Sequence, residues 1–165
     1  MNETEDINKF ISDLLSEDEL GSVIRGHIKI ESLLIQIVEL LTPKSQHLKK
    51  LNLDYDERVT LAICLGLKDD FAPSLRAIGK LRNDFAHKPE TVLTKERCNT
   101  LYDSLSTEVK TLLQYQFKKI KETNESLKQY GTFKSIKERD QFVLIAMSIW
   151  AHLKAAVISL NEKKA

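Results

Sequence analysis

The clearest candidates for chemistry lie in one short stretch, residues 82–87, which has the sequence RNDFAH and is followed by Lys88 and Pro89. Arg82 presents a permanent positive charge and a planar fork of donors that suits a phosphate group. His87 can accept or donate a proton near neutral pH. Together these side chains could cleave RNA without a metal, because the imidazole would deprotonate a ribose 2′-hydroxyl while the guanidinium stabilises the charged phosphorane.

The arrangement of these residues depends on where their helix ends. Arg82 and His87 are five residues apart, which on an α-helix is about 140° of rotation, whereas Asn83 and His87 share a face. A proline disfavours the α conformation at the residue before it, so Pro89 predicts that the helix ends at Ala86 or His87. The last turn can then loosen or tighten, which would bring His87 toward Arg82 while Asn83 still reaches it.

The helix predicted from about Ser16 or Asp18 to Thr42 must support that stretch. Its main apolar stripe has helical spacing and consists of Ile24, Ile28, Leu34, Ile35, Val38 and Leu41. His27 and Glu31 fall within the stripe, so both are predicted to point inward. A buried carboxylate needs a positive or hydrogen-bonding partner, because an isolated buried charge is costly. Arg82 is the first candidate to pair with Glu31, and Arg25 and Arg58 are the alternatives; all are supporting residues of the candidate site.

The stretch 82–87 therefore has a structural interpretation besides the catalytic one. In that interpretation Arg82 pairs with Glu31, while Asn83 and His87 satisfy the C-terminus of their helix. We favour it over catalysis, because a fold does not determine a function. The spacing would also let His27, Glu31 and His87 bind a metal, but a packed, hydrogen-bonded histidine is the commoner role. We expect no metal and no cofactor.

The composition is that of a globular domain. The chain has 165 residues, 42% hydrophobic and 30% charged, enough for one domain whose core needs no disulfide or metal. Five glycines and three prolines are too few for the turns of an all-β fold. The net charge of +1 excludes a global field that attracts nucleic acid or membrane. Cys64 and Cys98 belong to no CxxC pair, and both are predicted to be packing residues.

Helical periodicity covers most of the chain and predicts an all-α fold, a single-domain bundle of about six helices in residues 1–165. A helical core spans about residues 4–128, and a long C-terminal helix covers about 135–161. The expected core helices begin with residues 4–15, 16–42 and 58–65, followed by one helix that ends at Ala86 or His87 and one over 94–128.

The two helices on either side of Gly66 could be taken for a helix-turn-helix that reads DNA. Asp54 or Asp56 is predicted to cap the first, and Asp69 or Asp70 the second. A recognition helix should expose polar and basic side chains at its N-terminal end, but this one begins with the sequence FAPS. We therefore expect a plain αα-hairpin.

Two further segments bear on partners and location. The helix over 135–161 is so apolar that it should be buried on several sides or form an oligomer contact. No stretch reaches eighteen apolar residues and no apolar run follows the acidic N-terminus, so we expect a cytoplasmic protein without membrane contact. A basic group near the end of helix 94–128 is most simply a solvated face, with nucleic-acid backbone contact as the alternative. Its members are Lys118, Lys119, Lys121 and Lys128.

The stretch 82–87 matches the R-x4-6-H signature, with a polar residue after the arginine, of the HEPN superfamily of helical domains. More specifically, the chain resembles the mannitol operon repressor family within that type of fold. The similarity extends over residues 25–34 (RGHIKIESLL), 58–62 (RVTLA), 66–67 (GL) and 81–87. The similarity covers roughly the first two thirds of the chain as a sequence pattern. The C-terminal helices resemble those of the family only in their general character.

The resemblance implies two different functions. HEPN ribonucleases, which include toxins and defence effectors, are dimers with a composite site made from two such motifs. By that analogy Arg82, Asn83 and His87 would be the catalytic set of a metal-independent endoribonuclease that acts on RNA. Proteins similar to the mannitol operon repressor are transcription regulators without an evident DNA-reading motif, in which the arginine and histidine are structural. We expect the second function, a homodimeric regulator that acts through contacts with a protein partner.

Overall fold

The computed structural model describes residues 3–123 and 125–163, and within them the chain is all-α. The described residues form eight α-helices and three short 3-10 helices, and they contain no β-strand. The α-helices are α1 (Glu3–Leu15), α2 (Glu19–Leu41), α3 (Tyr55–Cys64), α4 (Ala72–His87), α5 (Lys95–Asp103), α6 (Thr107–Thr123), α7 (Glu125–Lys128) and α8 (Glu138–Glu162). The 3-10 helices are Ser45–Lys50, Asp69–Phe71 and Phe133–Ser135. The predicted all-α fold is confirmed, with more helices than expected.

The two long helices α2 and α8 pack against each other at the centre of the bundle. α8 also contacts α1, α5 and α6, while α2 contacts α1, α3 and α4. A Cβ on Gly26 would lie 3.3 Å from the Phe142 ring, so glycine lets α2 and α8 approach closely at this point. Phe142, Ile145 and Leu153 are fully buried along α8. The apolar C-terminal helix is therefore a core helix buried on several sides.

α8 also has the length and composition of a membrane-spanning helix, and it is the one such helix among the described residues. Half of its most apolar window is buried inside the bundle. Burial against α2 and the neighbouring helices accounts for its apolar character, because a helix packed on several sides needs apolar residues around its circumference.

The chain between residues 94 and 128 is not the single helix that the apolar spacing predicted, but three helices. Ser104 Oγ donates to the Leu101 carbonyl where α5 ends, and Ser106 Oγ accepts from the Val109 amide where α6 begins. Such bonds compete with helical ones, which is why serine favours helix ends. Leu105 is buried at the break, so the apolar pattern continues where the helix does not. The last helix likewise begins later than expected, after the 3-10 helix Phe133–Ser135.

α3 and α4 form the predicted αα-hairpin around Gly66. Asp54 caps α3 in a reciprocal capping box, and Gly66 has a φ of 110°, which favours glycine. The prediction that Asp69 or Asp70 caps α4 is wrong, because these residues form a 3-10 turn that runs into α4 without a side-chain cap. Phe71 at this junction is buried, so the N-terminus of α4 is embedded in the fold.

Candidate functional site

α4 stays helical to its last residue, His87, so the predicted loosening or tightening of its final turn is wrong. The Lys88 amide donates to the Asp84 carbonyl at 3.0 Å, the bond of a regular last turn. The Lys88 backbone is then extended, as expected for a residue before a proline. His87 therefore keeps its helical position, about 140° around α4 from Arg82.

Asp84 ties the end of α4 to the neighbouring segments. Its carbonyl accepts a bond from the Thr91 hydroxyl at 3.2 Å. Its carboxylate lies 2.6 Å from Lys88 Nζ and 3.3 Å from Arg97 Nη1 on α5. The hydrogen bond from Lys88 holds the pKa of the Asp84 carboxyl below its usual value. This residue carries the structural role that sequence reasoning had given to its neighbours.

Asn83 and His87 are both exposed. Asn83 Oδ1 accepts a hydrogen bond from Arg82 Nη1 at 2.9 Å. Within the described part of the chain, the His87 side chain makes no hydrogen bond or ion pair. Neither residue satisfies the C-terminus of α4, so that part of the structural interpretation is wrong. The His87 imidazole is accessible to a ligand.

Glu31 pairs with Arg58 and not with Arg82, which corrects the first expectation. Arg58 Nη1 lies 2.7 Å from Glu31 Oε1, and the two side chains keep 29% and 24% exposure. Because Asp54 caps α3, Arg58 falls in the first turn of that helix, which packs on α2. Arg25, the other alternative, lies 2.6 Å from a different carboxylate, that of Glu17.

His27 is buried, as predicted, with 2% exposure, but it lacks the expected hydrogen bond. Among the described residues neither ring nitrogen has a partner, and Nδ1 lies 3.8 Å from Glu31 Oε2, too far for a hydrogen bond. Burial, and after it the positive charge of Arg82, lowers the pKa of His27 to about 4. The imidazole is therefore neutral at neutral pH. Arg82 itself is half-buried, and its Nε also has no acceptor in the described chain.

Tyr55 completes this group of side chains between α2, α3 and α4. Its ring centroid lies 4.4 Å from that of His27, and its hydroxyl donates to the Leu75 carbonyl at 3.0 Å. Burial raises the pKa of the Tyr55 hydroxyl. A Cβ on Gly79 would come within 2.6 Å of the tyrosine ring, so glycine lets Tyr55 lie against α4. We call the set the α2–α4 cluster, which comprises His27, Glu31, Tyr55, Arg58 and Arg82.

Sequence reasoning did not identify Tyr55 or Gly79 as part of this site. The available signal was the glycine, because glycine inside a helix costs stability and usually marks a close approach. The partner of that approach is not visible in the sequence, since Tyr55 and Gly79 lie on different helices.

The cluster does not supply a metal site. Across residues 3–123 and 125–163, no group of three His, Cys, Asp or Glu side chains lies close enough to hold an ion. His27 is buried on α2, whereas His87 is exposed at the end of α4. The structure thus does not bring His27, Glu31 and His87 together as the spacing allowed.

The four lysines predicted as a basic group lie on α6 and α7 in different surroundings. Lys118 is exposed, and Lys119 Nζ lies 4.7 Å from the ring centroid of Tyr115. Lys121 is half-buried, while Lys128 pairs with Glu125. The sequence prediction omitted two lysines that flank Tyr102, at 5.7 Å and 5.4 Å from its ring centroid. These are Lys110 and Lys134.

α2 presents a second exposed surface. Ile28 and Ile35 were predicted to belong to the apolar stripe, but they are 54% and 37% exposed. Arg25, Ser32 and Glu39 are exposed on the same side, because residues three, four and seven apart share one face of a helix. The stripe prediction was wrong at the two isoleucines, since α2 is covered on several sides but not on this one. We call these five residues the outer face of α2.

Comparison of the chain with protein-family models, with curated proteins and with solved structures gives no match. Three places on the molecule bear on its function: the exposed His87 with the Arg82–Asn83 pair, the outer face of α2, and the lysine and tyrosine side chains around α6.

Proposed function

We propose that the protein is a homodimeric transcription regulator of the mannitol operon repressor type, which acts through protein contacts. The observation that carries this proposal is the outer face of α2, where Ile28 and Ile35 are exposed two turns apart on the same side of a central helix. Two aliphatic side chains on one exposed helix face can form the apolar centre of a contact with another helix. The remaining support comes from the distribution of charge along the same face.

The outer face of α2 is complementary to itself. If two copies of α2 lie antiparallel about a two-fold axis near Ser32, Ile28 of one copy faces Ile35 of the other. In this register Arg25, which also pairs with Glu17 of its own chain, comes within one residue of Glu39 of the other copy. Opposite charges therefore flank the apolar contact at both ends. Ser32 is small, which lets the two helices approach near the axis. Both copies use the same surface, as a closed two-fold dimer requires.

A groove beside Ile35 extends this surface toward the start of α3. It has a volume of about 290 Å³; four aliphatic residues, Ile35, Val38, Leu48 and Leu53, form half of its lining, and polar or charged residues that include Glu39 and Arg58 form the rest. Such a mixed groove at the edge of a dimer contact suits an apolar side chain of a protein partner with polar groups beside it. Contact through proteins also fits the start of α4, where Phe71 and Ala72 are buried and the exposed neighbours Asp70 and Pro73 carry no positive charge that suits DNA.

We place the protein in the cytoplasm. Cys98 is buried, as predicted for a packing residue, but Cys64 is exposed, so that prediction is wrong for Cys64. Both are free thiols, which is the usual state in a reducing compartment. Burial raises the pKa of the Cys98 thiol to about 11, which keeps it protonated and unreactive.

The dimer is tested by the mass of the protein in solution, measured by light scattering during gel filtration. Wild type should have the mass of a dimer, and the double variant Ile28→Asp, Ile35→Asp should have that of a monomer. Ile158→Asp, at an exposed isoleucine on α8, is the matched control and should remain dimeric. A monomeric wild type, or a dimeric double variant, would contradict the proposed contact.

The two-fold register has its own test. Arg25→Glu and Glu39→Arg should each weaken dimerisation, because each places like charges opposite one another. Combined in one chain they should restore it, since the ion pair is then reversed. If the combined variant does not recover dimerisation, this register is excluded. A contact through α2 in another register would still be tested by the isoleucine variants.

The regulatory role is tested in cells that lack the gene. Deletion of the gene should change the levels of a set of transcripts, and the wild-type gene should restore the original levels. The Ile28→Asp, Ile35→Asp variant should not restore them, whereas Ile158→Asp should. Transcript levels that do not respond to deletion would refute the regulator proposal whatever the oligomeric state.

A second candidate function is metal-independent cleavage of RNA. It is favoured by one observation, that the His87 imidazole is exposed and has no hydrogen bond in the described chain. Because Arg82 and His87 lie on different sides of α4, the imidazole of one copy would take the 2′-hydroxyl proton while the Arg82 guanidinium of the other copy stabilises the phosphorane. Wild type and His87→Ala would be compared for RNA cleavage in EDTA. Equal products from both proteins, or none from either, would argue against a catalytic His87.

A further inference from the structure

Five lysines and two tyrosines lie at the surface of α6 and of the segments beside it, in one group around Tyr102 and another around Tyr115. They come from α5, from α6 and from the 3-10 helix Phe133–Ser135. We call this surface the basic face of α6, which comprises Tyr102, Lys110, Tyr115, Lys118, Lys119, Lys121 and Lys134. It lies on different helices from the outer face of α2, so the ligand proposed for it does not depend on the proposed dimer.

Tyr102 is held rigidly within this face. Its ring stacks on Phe133, with centroids 5.4 Å apart, and Gln114 Nε2 donates to its hydroxyl at 3.1 Å. Lys110 Nζ and Lys134 Nζ lie 5.7 Å and 5.4 Å from its ring centroid, within the range of a cation–π contact. One aromatic ring thus fixes two ammonium groups that belong to separate segments of the chain.

Tyr115 is the accessible aromatic residue of the face. Its side chain is 55% exposed, and Lys119 Nζ lies 4.7 Å from its ring centroid. Lys118 follows three residues later and is also exposed, so it neighbours Tyr115 on the helix surface. An exposed ring with cations next to it offers a base a surface for stacking and offers the adjoining phosphate a positive charge.

The face carries a local excess of positive charge. The helices that carry most of these lysines also carry four exposed carboxylates, Glu96, Asp103, Glu108 and Glu122. One of the four, Glu108, lies 3.6 Å from Lys68 Nζ, outside the face. Within the described chain, Lys118 and Lys121 form no ion pair. The protein as a whole has a net charge of only +1, so this excess is a property of the surface and not of the composition.

We propose that the basic face of α6 binds single-stranded nucleic acid, with phosphates on the lysines and a base stacked on Tyr115. Stacking requires a base whose face is free, which a single strand provides and a duplex does not. Lysines bind phosphate as point charges, so recognition is independent of sequence. Among the described residues of α6, Tyr115 is the one exposed large apolar side chain, so the face lacks the aliphatic stripe that an amphipathic protein helix would need.

Binding would be measured by fluorescence anisotropy with a labelled strand of about 12 uridines, since sites of this kind cover on the order of 4–16 nucleotides. Wild type should bind, with a slope of log affinity against log salt of about −2 if about three phosphates are contacted. Lys118→Glu, Lys121→Glu should reduce the affinity about tenfold or more. Lys49→Glu, Lys50→Glu is the matched control, because it makes the same charge change at exposed lysines of another segment. An equal loss in both double variants would show unspecific charge attraction and overturn the proposal.

The stacking step is tested separately at Tyr115, which is exposed and should tolerate substitution. Tyr115→Ala should lower the affinity about tenfold, whereas Tyr115→Phe, which keeps the ring, should stay within about twofold of wild type. Circular dichroism would verify that each variant folds. Unchanged binding by Tyr115→Ala, equal binding of a duplex of the same length, or full competition by a poly-glutamate peptide would each refute the single-strand assignment.

Discussion

The α2–α4 cluster and the basic face of α6 contain similar side chains in opposite surroundings. In the cluster, Arg58 and Glu31 neutralise each other under partial burial, and His27 is neutral because it is buried beside Arg82. On the basic face, lysines lie against aromatic rings at the surface. The charges of the α2–α4 cluster are balanced or suppressed by neighbouring residues of the fold, whereas the charges of the basic face lie at the surface, where a ligand can reach them.

This comparison shows that neither arginine of the cluster is free in the way a phosphate site requires. Arg58 is occupied by Glu31, and Arg82 is held by Asn83 with its Nε buried. A ligand phosphate would have to compete with these partners. The basic face has no such competitor at Lys118 and Lys121 within the described chain.

The largest effect concerns His27 and pH. The folded-state pKa of about 4 lies below the ordinary 6.5, so the unfolded chain binds more protons between these values. His27 therefore contributes full stability above pH 6.5, and this contribution falls by about 3 kcal/mol as the pH drops toward 4. Urea unfolding at several pH values would compare wild type with His27→Leu, which should lose this part of the pH dependence.

His47→Leu is the control for that experiment, because His47 is exposed on the 3-10 helix Ser45–Lys50. It should keep the pH dependence of wild type. If His27→Leu and wild type lose stability in parallel on acidification, the imidazole of His27 is not held neutral by burial.

The second effect concerns the ion pair of the cluster. Arg58→Met should lower the free energy of unfolding by about 1–2 kcal/mol, because it leaves the partly buried Glu31 without its partner. Arg25→Met, which removes an arginine at a largely exposed pair, should cost about 0.5 kcal/mol or less. Denaturation by urea measures both, and equal costs would contradict the difference in burial between the two pairs.

The third effect concerns the influence of Arg82 on His27. Since the guanidinium charge opposes protonation of the imidazole, Arg82→Met should raise the pKa of His27 toward its ordinary value. The chemical shift of the His27 ring proton, followed against pH by nuclear magnetic resonance, reports this pKa directly. Arg76→Met on the exposed side of α4 should leave it unchanged.

The smallest effect is expected on the basic face. Lys118→Glu, Lys121→Glu should change the free energy of unfolding by no more than about 0.5 kcal/mol, because neither lysine forms an ion pair in the described chain. The same variant should lose nucleic-acid binding. A marked loss of stability would show that these lysines serve the fold, in contrast to the assignment made for this surface.

Most of the secondary structure could be predicted from the sequence, because it depends on local signals. The end of α2 before Pro43, the Asp54 cap and Gly66 are encoded within a few residues of where they act. The break between α5 and α6 was missed, although Ser104 and Ser106 encode it locally, because the apolar spacing continues through Leu105. In that case two local signals disagreed, and periodicity was the weaker one.

The candidate site was predicted less well, because its geometry depends on pairs of helices. The sequence identified His27, Glu31 and Arg82 as residues that need partners, and the burial of His27 is confirmed. It favoured Arg82 as the partner of Glu31, which is wrong, since the actual pairing with Arg58 depends on how α3 packs on α2.

The sequence by itself determined that the chain is helical, where most helices begin and end, and which residues are apolar enough to form a core. Those properties follow from backbone propensity, capping and hydrophobic spacing, which act over a few residues. The tertiary structure alone decided that Ile28 and Ile35 face outward, that Glu31 meets Arg58, and that Gly79 accommodates Tyr55. Each of these depends on which side of a helix a distant segment covers, and that is settled only when the whole bundle packs.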